Sequence, residues 1–375
     1  MNTPLPANAA VPPVTRGGLQ PLQRAPLLIL GFAGLVVGAG AGLARLGWSV
    51  PGGVAAVAAL HGPLMICGFF GVVIALERAV AIGNYWAYLG PLLAGVGCVA
   101  AIAGAASIAA WFFVAGSLVL VAASIDIFRR QTVMFTFTLT LGAVCWAVGN
   151  SLWAAGSTVH DVATWWLAFL ILTIAGERLE LSRFLAPSRV AKWTFAAIIV
   201  VISAGLLGAT SGWGVRAFAA GLVALAAWLL KQDIARRTVR NRGLTRFIAV
   251  CLLSGYVWLA VGGSIILASG GLSPGAASYD AALHALGLGF VFSMVFGHAP
   301  IIVPAVLRVG VPYHPTFYLP LALLHLSLLA RLSGDAVGQF AWTRLGALLN
   351  ALALAAFIIS TVSAAVRGKR SVPVR

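Results

Sequence analysis

The chain is poor in charge. Only 9% of its 375 residues are Asp, Glu, Lys or Arg, and eight of them are acidic, whereas soluble globular domains carry roughly 25% charged residues. A water-soluble body is thereby excluded, and with it the usual relation between length and number of domains. Cysteine is scarce as well. Cys67, Cys98, Cys145 and Cys251 all fall in apolar segments, with no C-x-x-C pair and no C-x-x-C-H for covalent haem attachment. They read as small buried hydrophobes. The P-loop, the G-x-S-x-G and H-E-x-x-H motifs and an evident catalytic carboxylate pair are also missing, so the common nucleotide, acyl-transfer and zinc-protease chemistries have no foothold.

What the chain has in excess is apolar surface: 61% of residues are hydrophobic and the mean hydropathy is +1.02. Segments long enough to cross a bilayer run at 27–48, 54–82, 86–107, 108–127, 132–155, 162–184, 193–210, 214–230, 245–269, 279–305, 316–334 and 343–366. The expected architecture is all-α, a polytopic membrane protein of about twelve transmembrane helices. Residues 1–26 are expected to form a Pro-rich disordered cytoplasmic tail leading into an uncleaved anchor, 27–366 the membrane domain, and 367–375 a basic cytoplasmic tail. An excess of 24 Lys and Arg over 8 acidic residues would suggest nucleic acid as partner in a soluble protein. Here the basic residues sit in short loops, so the partner is the lipid bilayer and not nucleic acid. With alternating helices, all but Arg45, Arg216, Arg331 and Arg344 lie on the side of the amino terminus, which places both termini in the cytoplasm. The loop at 231–244 reads as a topology determinant able to touch anionic headgroups.

Polar groups at membrane depth become the candidates for function. His61 lies seven residues into the second segment and His284 five residues into the tenth, about 10 and about 8 Å below the outer surface. Two imidazoles at one level on different helices suit the axial positions of a haem. Gly62, Gly68, Gly287 and Gly289 beside them leave room for a macrocycle; close helix packing is the competing explanation. Fourteen residues beyond His284, about 21 Å lower, His298 can meet Glu77 or Glu177 as part of a proton path or as ligand to a second metal, with a structural clamp as the alternative. The sequences Ile-Ala-Leu-Glu77-Arg78 and Ile-Ala-Gly-Glu177-Arg178 end the second and sixth segments, and His298 is in the tenth. That interval suggests a three-fold repeat of four helices. Within each Glu-Arg pair the side chains diverge by about 100°, so pairing between helices is expected. Met65 and His325 read as core residues, and His160 and His314 fall in loops.

Three segments carry a resemblance to a known family: His61-Gly62-Pro63-Leu64-Met65-Ile66-Cys67-Gly68-Phe69, Gly255-Tyr256-Val257-Trp258-Leu259-Ala260-Val261-Gly262, and Ala281-Ala282-Leu283-His284-Ala285-Leu286. They resemble stretches of the NnrS family of bacterial membrane proteins, which are associated with haem, copper and the response to nitric oxide. The resemblance implies a multi-pass protein of the bacterial inner membrane with a b-type haem on His61 and His284, nitric oxide as a ligand and a respiratory electron-transfer partner. The chain departs from that family's W-H-A-H-E-M run, keeping only His61 of the two histidines. It also lacks the Gly-His-Thr-Gly run, having Gly297-His298-Ala299-Pro300 at another spacing. Both departures count against copper more than against haem. A more distant likeness is to haem–copper oxidase catalytic subunits, with twelve helices in three four-helix arcs and haem ligands on the second and tenth. The copper ligands of that superfamily lie on the sixth and seventh helices, which in this reading contain no histidine. Two other functions stay open: a proton-coupled transporter working through His298, Glu77 and Glu177, with Pro300 and Pro304 breaking the tenth helix, and an assembly or scaffold factor for a respiratory complex.

Overall fold

The computed structural model describes residues 18–370 except 183, 184, 186 and 210. Among the described residues there is no strand, and twelve helices are long and apolar enough to span a membrane: α1 (Pro21–Arg45), α2 (Ala58–Ile82), α3 (Tyr85–Ile102), α4 (Ala106–Arg130), α5 (Met134–Ala154), α6 (Val159–Ser182), α7 (Arg189–Leu207), α8 (Gly212–Gln232), α9 (Gly243–Ser269), α10 (Ala277–Leu307), α11 (Pro315–Val337) and α12 (Phe340–Gly368). The chain is a polytopic all-α membrane protein.

The element boundaries depart from expectation where local chemistry overrides hydropathy. α1 begins at Pro21, inside the expected tail, because proline suits the first helical turn and the Gln20 N–H bonds to the Gln23 side chain. Residues 1–17 of that tail lie outside the described residues. The last helix continues to Arg370, which takes up the start of the expected basic tail; residues 371–375 are again outside. The division near 107 is real and sits slightly earlier, in a turn around Gly104, whose φ of +80° is accessible to glycine. α10 runs unbroken through Pro300 and Pro304 to Leu307, so the expected proline break is not there.

Consecutive helices pack as neighbours except α6 and α7, and α1 closes the bundle against α10 and α12. The Arg24 guanidinium, at the start of α1, donates to the Val306 carbonyl at the finish of α10 (2.9 Å), using a cation to satisfy a helix C-terminus. The start of α1 and the finish of α10 therefore share one end, called the basic end below. Gly34, Gly38 and Gly42 form a row at i, i+4, i+8 on α1 that lets it lie close against α2. A Cβ at Gly34 would come within 2.8 Å of the Cys98 sulfur, and one at Gly38 within 2.9 Å of the Met65 sulfur.

The cysteines are free and buried, as expected. Cys67 belongs to a buried polar knot joining four helices. Its Sγ donates to Asn150 Oδ1 (3.2 Å), Trp166 Nε1 donates to the same oxygen (2.9 Å), and Asn150 Nδ2 donates to the Phe113 carbonyl (3.0 Å). Every polar atom of the Asn150 amide is thereby used, as a low-dielectric interior demands.

Two helices deviate from α geometry, and both carry a candidate histidine. Leu64–Phe70 of α2 and Ala285–Phe292 of α10 are π-helical. Widened i→i+5 turns are rare and frequent at functional sites. They also change the rotation of everything downstream, so a uniform 100° wheel does not connect His284 to His298.

Candidate functional site

His61 and His284 come together. Their ring centres are 6.2 Å apart and the ring planes differ by 19°. His61 Nδ1 is bonded to the Gly38 carbonyl on α1 (2.7 Å), and His284 Nδ1 to the Asp280 carbonyl one turn earlier (2.8 Å). A carbonyl only accepts, so each Nδ1 carries a proton, and in the neutral imidazole Nε2 is then the nitrogen with the lone pair. Fixing the tautomer in this way is how proteins prepare a histidine to ligate a metal. Gly42 makes the placement of His61 feasible, because a Cβ there would come within 2.8 Å of the imidazole.

Both rings line a cavity of about 310 Å³ between α1, α2, α6, α10, α11 and α12. Its body is apolar, built from residues such as Ile66, Phe70, Leu170 and Phe292, and it also holds Arg45, His160, Tyr279 and Arg331. Phe70 and Phe292 pack on each other and on Phe69, with ring centres 4.8–6.0 Å apart. This aromatic cluster lies in the chain between the histidine level and the basic end. Of the four glycines expected to make room for a ligand, Gly62 and Gly287 line the cavity, and a Cβ on Gly287 would meet nothing within 4 Å. Gly68 and Gly289 serve helix packing instead, against Cys98 and Trp258.

Asp280 is the residue that sequence reasoning missed. It accepts from Arg331 Nε and Nη2, both at 2.8 Å, and one of its oxygens lies 3.3 Å from His284 Nδ1. A bidentate arginine–carboxylate pair thus stands directly behind one of the two histidines. Its spacing to His284, i and i+4 on one helix, was the available signal; the arginine, 51 residues further on, gave none.

Two imidazoles 6.2 Å apart and nearly parallel on the wall of one cavity could hold a metal between them, as a haem iron would require. Gly287 leaves open space at the cavity wall, and Arg45, which also lines the cavity, offers a cation to the carboxylates of a haem. The residues present therefore fit that group. His160, expected in a loop, stands in the first turn of α6, so the sixth helix does carry one histidine. Its Nδ1 is paired with the Tyr279 hydroxyl (2.9 Å).

Glu77, Glu177 and His298 also meet. His298 Nε2 lies 3.5 Å from Glu77 Oε1 and 4.0 Å from Glu177 Oε2, and one ligand atom from each residue falls within 4.8 Å of the others. Arg178, next to Glu177, turns the other way and donates to both oxygens of Asp233 (2.8 and 3.1 Å), which also accepts from the Tyr256 hydroxyl (2.8 Å). The expected divergence of the Glu-Arg pair is thus observed, and the clamp it forms is through Arg178. His325 accepts from Trp258 Nε1 at its Nδ1 (2.9 Å), while its buried Nε2 has no partner. It is a half-satisfied core histidine and not the fully satisfied one expected.

The chain belongs to a family described as a domain of unknown function (DUF8744), which matches residues 24–366. No curated protein and no solved structure matches the chain.

Proposed function

We propose that this protein is a membrane haemoprotein in which His61 and His284 hold a b-type haem near the outer face of a bacterial inner membrane, for electron transfer or nitric oxide handling. The observation that carries the reading is the facing of two tautomer-locked imidazoles, ring centres 6.2 Å apart and nearly parallel. Haem bound there supplies one-electron chemistry and affinity for diatomic gases, and two histidine ligands favour the former by leaving no open position. The likeness of residues 61–69, 255–262 and 281–286 to NnrS proteins supports the same reading, and the bias of basic residues toward one end supports placing the cavity on the outer side.

The chain's own groups do four things. The carbonyls of Gly38 and Asp280 engage the Nδ1 atoms and so leave each Nε2 as the nitrogen available to a ligand in the cavity that both rings line. The Asp280 carboxylate, itself held by Arg331, raises the electron-donating power of His284. Arg45 provides positive charge for anionic substituents of the ligand. The phenyl rings of Phe70 and Phe292 keep the cavity body dry, which strengthens every electrostatic contact inside it.

The test is an absorption spectrum, oxidised and reduced, of detergent-purified protein expressed with a haem supply. A Soret band with the sharp reduced bands of a six-coordinate haem is expected, lost in His61→Ala and in His284→Ala. A wild-type protein without a Soret band sinks the proposal.

A further inference from the structure

At the other end of the same helices stands a second set of ligand atoms, and the geometry points to a divalent first-row transition-metal ion bound by Glu77, Glu177 and His298. The three residues come from α2, α6 and α10, one from each. Their donor atoms lie within 4.8 Å of one another. The distances from His298 Nε2 to the two carboxylates, 3.5 and 4.0 Å, exceed the roughly 2.7–3.2 Å of a hydrogen bond. They approach the separation of neighbouring ligands around one ion with bonds of about 2.0–2.2 Å.

An independent observation marks the cluster as incomplete. His298 Nε2 is a buried atom without a hydrogen-bond partner, although it is the nitrogen that faces the carboxylates. Buried polar atoms are ordinarily satisfied, and an unsatisfied imidazole nitrogen aimed at two carboxylates is what an ion would complete. Arg178, next to Glu177 in the chain, is committed to Asp233. An approach route exists, because the three side chains retain 38%, 31% and 29% exposure. One imidazole with two carboxylates suits zinc, manganese or ferrous iron better than calcium or magnesium, which prefer all-oxygen shells. Bound there, the ion ties together the three helices that also border the histidine cavity.

The site is independent of the haem reading, and its test is kept separate from it. Purified full-length protein is stripped with a chelator, equilibrated with zinc and assayed for bound metal and for thermal unfolding. The expected result is one zinc per chain removed by His298→Ala, Glu77→Gln or Glu177→Gln, with affinity falling by at least the roughly tenfold to hundredfold that loss of even an outer-shell partner costs. The remote Asp126→Asn retains that equivalent. Wild-type protein gains thermal stability on adding zinc and loses it on adding chelator, a readout that needs no variant to fold. Haem absorbance stays at the wild-type level in His298→Ala. Absence of zinc uptake by the wild type, or uptake in His298→Ala with unchanged affinity and stoichiometry, overturns the assignment.

Discussion

The two ends of α2, α6 and α10 solve the placement of a histidine differently. At the end opposite the basic one, His61 and His284 are each anchored by a carbonyl and bordered by phenyl rings, and His284 is backed by the Asp280–Arg331 pair. At the basic end His298 faces two carboxylates at distances too long for hydrogen bonds, with its Nε2 unsatisfied. The first arrangement is complete in its protein partners. In the second the ring nitrogen stands at ion-pair distance from two carboxylates without a hydrogen bond to either. Preorganisation at one end and deficit at the other teach that shared helices do not imply shared chemistry. What differs is the neighbours that hold each ring.

The comparison can be broken most directly at the histidines. Replacing His61 or His284 by Ala is expected to abolish haem retention through purification, read as loss of the Soret band, while His298→Ala retains it. Equal loss in all three would mean that the ends are not separate. Next in size, Asp233→Ala leaves the buried Arg178 guanidinium without its carboxylate, and breaking a buried pair from one side costs about 3–5 kcal/mol. Thermal unfolding in detergent measures this; a change below about 1 kcal/mol, the value of an exposed pair, would show that the Arg178–Asp233 clamp does not lock the basic end.

Smaller effects sharpen the site of His61 and His284. Gly42→Ala puts a methyl group against the His61 ring and is expected to cost about 1–3 kcal/mol as overpacking, together with weaker haem retention. Gly287→Ala, whose Cβ meets nothing within 4 Å, should leave the fold's stability near wild type, and a large loss there would contradict the open space beside the rings. The mildest change, Asp280→Asn, keeps the shape while removing the charge behind His284. Haem affinity should fall by about tenfold to hundredfold, measured by titration of the apoprotein; unchanged affinity would reduce the Asp280–Arg331 pair to a helix tie.

Much of this was legible because hydropathy and helical rise are one-dimensional. The twelve spans, the common level of His61 and His284, and the meeting of Glu77, Glu177 and His298 all follow from counting residues along alternating helices. The row Gly34, Gly38, Gly42 was also readable as a small-residue stripe, although that pattern does not say that one of its members seats an imidazole. The π-helical turns after both histidines have no such signature. Apolar runs such as Leu64–Phe70 are compatible with α or π hydrogen bonding, and packing chooses between them. Pairings across long separations were equally hidden: Arg178 with Asp233 and Asp280 with Arg331 are 55 and 51 residues apart.

By itself the sequence determined that this chain lives in a bilayer, how many times it crosses, which residues share a depth, and that its basic residues gather at one end. Those properties follow from the cost of burying charge and unsatisfied backbone in hydrocarbon, which acts on each segment separately. The tertiary structure alone decided which nitrogen of each histidine is free, which glycine admits a ring, and which carboxylate stands behind His284. Such choices depend on contacts of a few ångströms between helices far apart in the chain, where a carbonyl on α1 sets the tautomer of a side chain on α2.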